Sequence, residues 1–290
     1  MPDAVVLDTF RVQRSPMHVG VVASDAEYAT RSVYPFVAHL KRHAPSAQVH
    51  VLLIRRAGGR LAAEGLVDHV HYFDSVNRTV AAALEAFATR SSGAGRLLNY
   101  KLMIPFLPTL TVRRFCFVDN DLYFHRPVAD LWSRFDEFTG GQAIGVARNH
   151  DGVPGFNTGV MLLALDKLRR NAYLDALRRA ARAGDRLGWL SDQVILTRVL
   201  TQHAGMLHEL PCGWNRQLST HFAHAAWFNE TWGACRECFA THFSSVHMKA
   251  HHRRMLADGC DPAPPASIQN RHQRQMMSYV HARCCGAPRA

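Results

Sequence analysis

Residues 114–131 read RFCFVDNDLYFHRPVADL. Phe115, Cys116, Phe117 and Val118 form a short, continuous apolar run, the pattern of a strand buried on both faces of an α/β sheet. The run stops at Asp119-Asn120-Asp121. Side chains alternate along an extended chain, so Asp119 and Asp121 point one way and Asn120 the other. Two carboxylates aimed at one point, at the carboxyl end of a buried strand, lie where open α/β sheets place their ligands. Their natural occupant is a hard divalent cation shared with a phosphate ligand. An isolated Asp-x-Asp also serves simply as the turn after a strand. The neighbouring motifs decide between the two.

Upstream, residues 19–23 (VGVVA) predict a first buried strand, and Ser24-Asp25 offers a helix N-cap. A helix over 28–44 and a strand over 49–54 follow. A strand, helix and strand in this order open a nucleotide-binding α/β unit. No glycine fingerprint follows the first strand, which argues against a nicotinamide-type dinucleotide site. A third strand covers 67–73, with Asp68, His69 and His71 as its polar face. Helices are predicted over 77–90 and 96–106, separated by a loop at 91–95, and the second carries Lys101. Beyond the Asp-x-Asp come a short helix over 128–138 and a strand over 142–147. After a Gly/Pro loop at 150–155, Phe156-Asn157-Thr158-Gly159 leads into a buried strand over 160–165. One Arg-rich amphipathic helix covers 166–183, and a turn covers 185–191. Asp192-Gln193 opens a helix to about 202, and a short strand at 206–210 precedes Pro211-Cys212-Gly213-Trp214-Asn215. An irregular region follows, then a proline-marked loop and a final polar helix.

The 290 residues are 48% apolar and 20% charged, ordinary for a globular protein. We expect one domain over 1–290, with a core from about 17 to 256 and a C-terminal helical extension and tail at 257–290. The net charge of +11 favours acidic or phosphate-bearing partners. Its arginine pairs, Arg113-Arg114, Arg169-Arg170, Arg178-Arg179 and Arg253-Arg254, are dispersed along the chain, so nucleic acid is disfavoured. No stretch reaches the ~18 apolar residues of a membrane span, and residues 1–17 lack a charged-then-apolar signal pattern. The expectation is a soluble protein, cytoplasmic in preference to the secretory lumen. Seven cysteines, an odd number, do not read as a disulfide scaffold, and free buried thiols are favoured. Two alternatives stay open: a disulfide from Cys212 to Cys235 or Cys238, or zinc on Cys235, Cys238, His242 and Cys212. Asn77-Arg78-Thr79 and Asn229-Glu230-Thr231 fit the glycosylation sequon, a short pattern that also arises by chance.

The order of motifs carries further information. Lys101 comes before Asp119-Asn120-Asp121, followed by GFNTGVMLLALDKLR at 155–169, LSDQVIL at 190–196, LPCGWNRQL at 210–218 and THFSS at 241–245. With DLWSRFDEFTGGQAIGVARN at 130–149, these runs resemble glycosyltransferase family 8, the retaining glycogenin-like group, and above all its LARGE-type xylosyltransferase domain. The resemblance covers about 19–254. It implies the GT-A fold, a Rossmann-like, mostly parallel sheet with flanking helices, and a sugar transferred from a UDP-sugar with retention. UDP-xylose is its first donor, then UDP-glucose and UDP-galactose.

The resemblance assigns a divalent metal, usually Mn2+ with Mg2+ as the alternative, to Asp119, Asp121 and His242. Ala23, Ser24, Tyr28 and Asn120 fall where the family holds uridine. Lys101 suits the donor phosphates, as does Lys249, which lies with His247 near the family's late basic position. Asn157, Asp192 and Gln193 fall beside the transferred sugar. No second well-placed carboxylate stands out, which favours a same-face route with Gln193 stabilising positive charge at the sugar. The acceptor would be a glycan or glycoprotein, an acidic one suiting the basic surface. Two departures bear on that acceptor. The HDGVP loop at 150–154 is much shorter than in LARGE, and Trp189 stands where glycogenin-type members have an aspartate. Oligomeric state leaves no mark on the sequence. Rival readings are an inactive nucleotide-sugar or glycan binder and a basic nucleic-acid-binding protein.

Overall fold

The apolar run at 115–118 is the middle strand of a seven-stranded sheet. In chain order the strands are β1 (His18–Ala23), β2 (Gln48–Leu53), β3 (His69–Tyr72), β4 (Arg114–Val118) and β5 (Leu122–Phe124). They continue with β6 (Ile144–Arg148), β7 (Phe156–Ala164), β8 (Leu207–Glu209), β9 (Arg216–Gln217) and β10 (Ala240–His242). The large sheet has the order β3-β2-β1-β4-β7-β6-β8, and a small sheet has the order β5-β10-β9. β3, β2, β1 and β4 run parallel, β7 is antiparallel to both β4 and β6, and β8 is parallel to β6. The mostly parallel sheet expected from the sequence is therefore present, with β7 the reversed strand.

This computed structural model describes residues 16–54, 65–76, 99–149, 155–170, 172–183, 191–218, 235, 237–243, 249–260, 277–278, 280 and 284–285. Several expectations lie outside the described residues. They are the helix at 77–90 with its sequon, the loop at 91–95, the HDGVP loop, Trp189, the second sequon, His247, the proline-marked loop at 262–265 and most of the final helix.

Alternation along β4 divides the core between the two faces of the sheet. Cys116 and Val118 face Val19, Val21, Val49 and Val51, together with Phe36, Leu40, Trp214 and Phe243. Phe115 and Phe117 face Leu52, Met161 and Leu163, together with Leu177, Ile195 and Leu196. The approach of β1 to β4 depends on Gly20, because a Cβ there would lie 2.1 Å from Phe115 Cζ. All nine residues of β7 are buried. Met277, Val280 and Cys284 join the Cys116 side of the core, so the C-terminal segment packs onto the main body.

The helices differ from expectation in instructive ways. The first begins as predicted with Asp25, whose carboxylate accepts the Tyr28 amide, but its next turn, Ala29–Val33, is π-helical before α1 (Tyr34–His43). The predicted 128–138 helix is α2 (Val128–Trp132) continued by a 3-10 turn, Ser133–Glu137. Asn99–Phe106, carrying Lys101, is 3-10 helical. The Arg-rich segment at 166–183 is two helices, α3 (Leu165–Arg170) and α4 (Tyr173–Arg182). The interruption turns Tyr173 into the core, where its hydroxyl donates to Leu102 O at 3.2 Å and its ring stacks on Phe106. α5 (Asp192–Gln202) has the predicted bounds, capped by the Ser191 side chain. α6 (Lys249–Asp258) follows the small sheet. Phe156-Asn157-Thr158-Gly159, expected to lead into a strand, lies inside β7.

The cysteines correct the sequence reading most. Cys212–Cys235, Cys238–Cys284 and Cys260–Cys285 are disulfides, and only the buried Cys116 is free. The odd count therefore hid three pairs and a core thiol. The zinc alternative fails because three of its four ligands are otherwise engaged: Cys212 and Cys235 bond each other, and Cys238 bonds Cys284. Each cross-link removes about 3–4 kcal/mol of chain entropy from the unfolded state. Among the described residues, no helix is long and apolar enough to cross a membrane.

Buried histidines hold the edges of the sheets. His39 Nε2 accepts the Phe124 amide at 2.9 Å, which requires a neutral ring. His18, His50 and His71 form a chain across β1, β2 and β3, with contacts of 3.0 and 2.9 Å, that ends on Thr109 Oγ1 at 2.7 Å. Burial pushes His39 down to about 2, His50 to about 3, and His71 and His252 to about 4. The unfolded chain takes up these protons near pH 6.5 while the folded chain does not, so stability falls as pH drops from 6.5 toward 4. Each histidine contributes about 1.4 kcal/mol per pH unit in that window. Urea unfolding at pH 7.5 and 5.5 is expected to differ by several kcal/mol, and a flat profile would refute the assignment. Alkylation of the denatured, unreduced chain is expected to label one cysteine, Cys116; labelling at three or more would overturn the pairing.

Candidate functional site

The Asp-x-Asp is clamped from both sides by backbone. The Asp119 amide donates to Gly159 O at 2.8 Å, extending the β4–β7 ladder by one residue. Asp121 O accepts the Phe243 amide at 2.8 Å, beyond the β5–β10 pairing of Leu122 with His242. The two sheets thus meet at these carboxylates, with β10 delivering His242. Ligand atoms of Asp119, Asp121 and His242 all lie within 4.8 Å of one another. His242 Nε2 is 3.1 Å from Asp121 Oδ1 and 3.7 Å from Asp119 Oδ2.

A chain of hydrogen bonds fixes the tautomer of His242. The Gly159 amide can only donate, and it donates to Asn157 Oδ1 at 2.9 Å. Asn215 Nδ2 donates to the same oxygen at 2.8 Å, which leaves Asn215 Oδ1 as the acceptor facing His242 Nδ1 at 3.0 Å. His242 Nδ1 therefore carries the proton. Nε2 is left to present a lone pair toward the carboxylates, or a second N–H when the ring is protonated. Gly159 is required here for space, because a Cβ would lie 2.4 Å from His242 Cε1.

Two lysines face the three acids. Lys101 Nζ lies 3.3 and 3.2 Å from the two Asp119 oxygens and 2.8 Å from Asp192 Oδ2, with its side chain 4% exposed. Burial would lower Lys101, but the Asp119 and Asp192 carboxylates outweigh it and hold the ammonium above its ordinary value. Asp192 also accepts the Thr158 hydroxyl. Lys249 rests on Asp121 Oδ2. Burial lifts Asp119 above the usual carboxylate range against the pull of Lys101. Burial would lift Asp121 as well, but the facing His242 and Lys249 hold it well below that range.

The donor-binding candidates gather at the same edge. Ala23 ends β1, the parallel neighbour of β4, and Ser24 donates to Asp25 Oδ2 at 3.0 Å. Asn120 points away from the acids and donates to Tyr28 Oη at 3.3 Å and Ser32 O at 3.4 Å. Tyr28 is 43% exposed. Gln193, half-buried, follows Asp192 in the first turn of α5. Asp119, Asp121, His242, Lys101, Lys249, Asp192 and Asn157 thus form one connected cluster, with the Tyr28–Asn120 pair beside it.

The residues suit a divalent cation. Buried Asp121 Oδ1 makes no hydrogen bond, although it faces His242 Nε2 at 3.1 Å. Two lone pairs meeting at that separation are satisfied by an ion between them, and an imidazole with carboxylates is a donor set that manganese or magnesium accepts.

No family profile matches the chain. Over 141 residues, 42% of this chain, it is 36% identical to human "Xylosyl- and glucuronyltransferase LARGE2" and 34% identical to human LARGE1. The match covers 19% and 18% of those proteins, so the chain spans about a fifth of the curated relatives it matches. Mouse xyloside xylosyltransferase 1 superposes with a TM-score of 0.54 at 21% identity, covering 79% of this chain and 98% of that one. The galactosyltransferase LgtC gives 0.57 at 14% identity, covering 94% and 98%.

The fold is that of the GT-A glycosyltransferases.

Within this GT-A scaffold, Asn215 is the site residue that sequence reasoning passed over. It stood in the PCGWN motif without a role, because its work depends on Asn157 and His242, 58 and 27 residues away. Lys101, expected to reach donor phosphates, bridges Asp119 and Asp192. Replacing Asn215 with Ala frees the His242 ring and is expected to weaken Mn2+ binding about 10- to 100-fold. Calorimetric titration with Mn2+ checks this, and an unchanged affinity in a folded variant would remove Asn215 from the site.

Proposed function

We propose that the chain is a metal-dependent glycosyltransferase that moves a sugar from a UDP-sugar to a glycan hydroxyl with retention at the anomeric carbon. The observation that carries this reading is the Asp119–Asp121–His242 cluster at the carboxyl edge of a GT-A sheet, with Asp121 Oδ1 and His242 Nε2 facing without a hydrogen bond. A bound Mn2+ or Mg2+ would supply Lewis-acid neutralisation of the departing diphosphate.

The chain's own residues supply the rest. Asn215 and Asn157 orient His242, while Lys101 holds Asp119 and Asp192 at fixed positions. Asp192 is committed to Lys101 and Thr158, which argues against its serving as a covalent nucleophile and favours the same-face route. Gln193, next in the chain, is then the group that stabilises positive charge at the sugar. Asn157 Oδ1 is used within the network, so its part in binding sugar hydroxyls falls to Nδ2. Asn120 aligns Tyr28 at the rim, where a uracil ring would stack, near Ala23 and Ser24.

UDP-xylose is the first donor to test, on likeness to proteins described as xylosyltransferases, with UDP-glucose and UDP-galactose next. The net charge of +11 suits an acidic glycan acceptor. Three disulfides support an oxidising compartment and count against the cytoplasmic location favoured by the sequence reading.

UDP release measured over a panel of UDP-sugars with Mn2+ tests the proposal. Signal is expected with one donor, abolished by chelation, restored by Mn2+, and absent in Asp121→Ala. UDP binding without turnover of any donor would point to an inactive binder, and full activity of the Asp121→Ala variant would remove the metal assignment.

A further inference from the structure

We infer that Lys249 is a built-in counter-cation for Asp121: it rests where the metal charge is needed, must leave for the ion, and thereby couples metal binding to diphosphate binding. This inference rests on the proposed cation at Asp119, Asp121 and His242 and extends it to the order in which charges exchange.

The two lysines of the site differ in freedom. Lys101 is pinned between Asp119 and Asp192, 4% exposed, with its ammonium 5.5 Å from the centre of the Phe117 ring. Among the described acids Lys249 is engaged with Asp121 alone, and 37% of its side chain is exposed. It is the first residue of α6, a ten-residue helix whose first turn has no acidic residue. The positive end of the helix dipole disfavours an ammonium at that position. The helix therefore gives Lys249 no reason to stay where it is. The contact with Asp121 holds it.

The acid explains why a cation is needed there. Asp121 is 6% exposed, and a buried carboxylate without a counter-charge is costly. Among the described residues, the carboxyl groups of Asp119, Asp121 and Asp192 stand against two ammonium groups, Lys101 and Lys249. A divalent ion on Asp121 and His242 removes the need for Lys249 and repels it, since both would share one carboxylate. The released ammonium stands at the same edge as the ion, and the negative charge of a donor diphosphate gives it a new partner. Linkage then requires that diphosphate tighten metal binding, and metal tighten diphosphate binding, by the same factor.

The test is Mn2+ titration of the full chain without nucleotide at pH 7.5, followed by the loss of the free-ion electron paramagnetic resonance signal. Lys249→Met keeps the aliphatic stem and removes the charge. It is expected to bind Mn2+ about fivefold or more tightly than the parent, and to gain less from added UDP. Lys249→Arg retains the charge and is expected to keep the parent affinity. Unchanged or weaker Mn2+ binding by folded Lys249→Met overturns the inference. Asp121→Ala separates the two levels. If the parent binds Mn2+, Asp121→Ala does not, and Lys249→Met matches the parent, the counter-cation role alone fails. If the parent does not bind Mn2+, or Asp121→Ala binds it equally, the metal assignment fails and this inference with it.

Discussion

The hydrogen bond from His242 Nδ1 to Asn215 Oδ1 is the contact on which the site depends. An imidazole on a three-residue strand could present either nitrogen, or neither, to the acids. One backbone amide, that of Gly159, removes the choice by fixing Asn157, then Asn215, then the ring. The same Gly159 accepts the Asp119 amide through its carbonyl, so one residue of β7 sets both a carboxylate and, at two removes, an imidazole. Its missing side chain makes room for that ring. A substitution at 159 would therefore act on Asp119 and His242 at once.

The small sheet needs support that its length cannot give. β5 and β10 have three residues each and β9 has two, too few to hold a ligand strand by ladder hydrogen bonds alone. Side chains make up the difference. His39 and His252 satisfy the Phe124 amide and the Leu122 carbonyl, and His125 bonds Thr241, the residue before His242. The disulfides work on the same segment. Cys238, four residues before His242, is tied to Cys284, and Cys260, just after α6, is tied to Cys285. The adjacent cysteines of one C-terminal turn thus fasten both the strand that carries His242 and the helix that carries Lys249.

Much of this was legible where local chemistry and tertiary need agree. The apolar run at 115–118 became the central strand, and the helix opening at Asp192 has the bounds its pattern predicted, because each is decided by its own neighbours. Reading failed where a distant partner decides. FNTG is expected only to lead into the strand, but β7 spends the polar groups of Asn157 and Gly159 on Asn215 and Asp119 and keeps them within it. The 166–183 periodicity predicts one helix, but the segment holds two, and Tyr173, at the start of the second, is turned into the core against Leu102 and Phe106. Cysteine pairing is invisible for the same reason: the partners lie 23 to 46 residues apart and only the fold brings them together.

The excess of arginine has a physical reading that the fold sharpens. Arg113 and Arg170 share Asp166, Arg114 bonds Asp136, Arg134 bonds Glu137, and Arg148 forms a fork with Glu209. Arg169 is spent on backbone carbonyls of Pro105, Leu110 and Val112, securing the approach to β4. Among the described residues these guanidinium groups answer local carboxylates and backbone carbonyls around the body. The positive charge that matters for chemistry is smaller and buried deeper. Among the described residues it is two ammonium groups set against three carboxyl groups. The basic surface can draw an acidic ligand toward the molecule, whereas these inner carboxylates favour a cation at the end of β4.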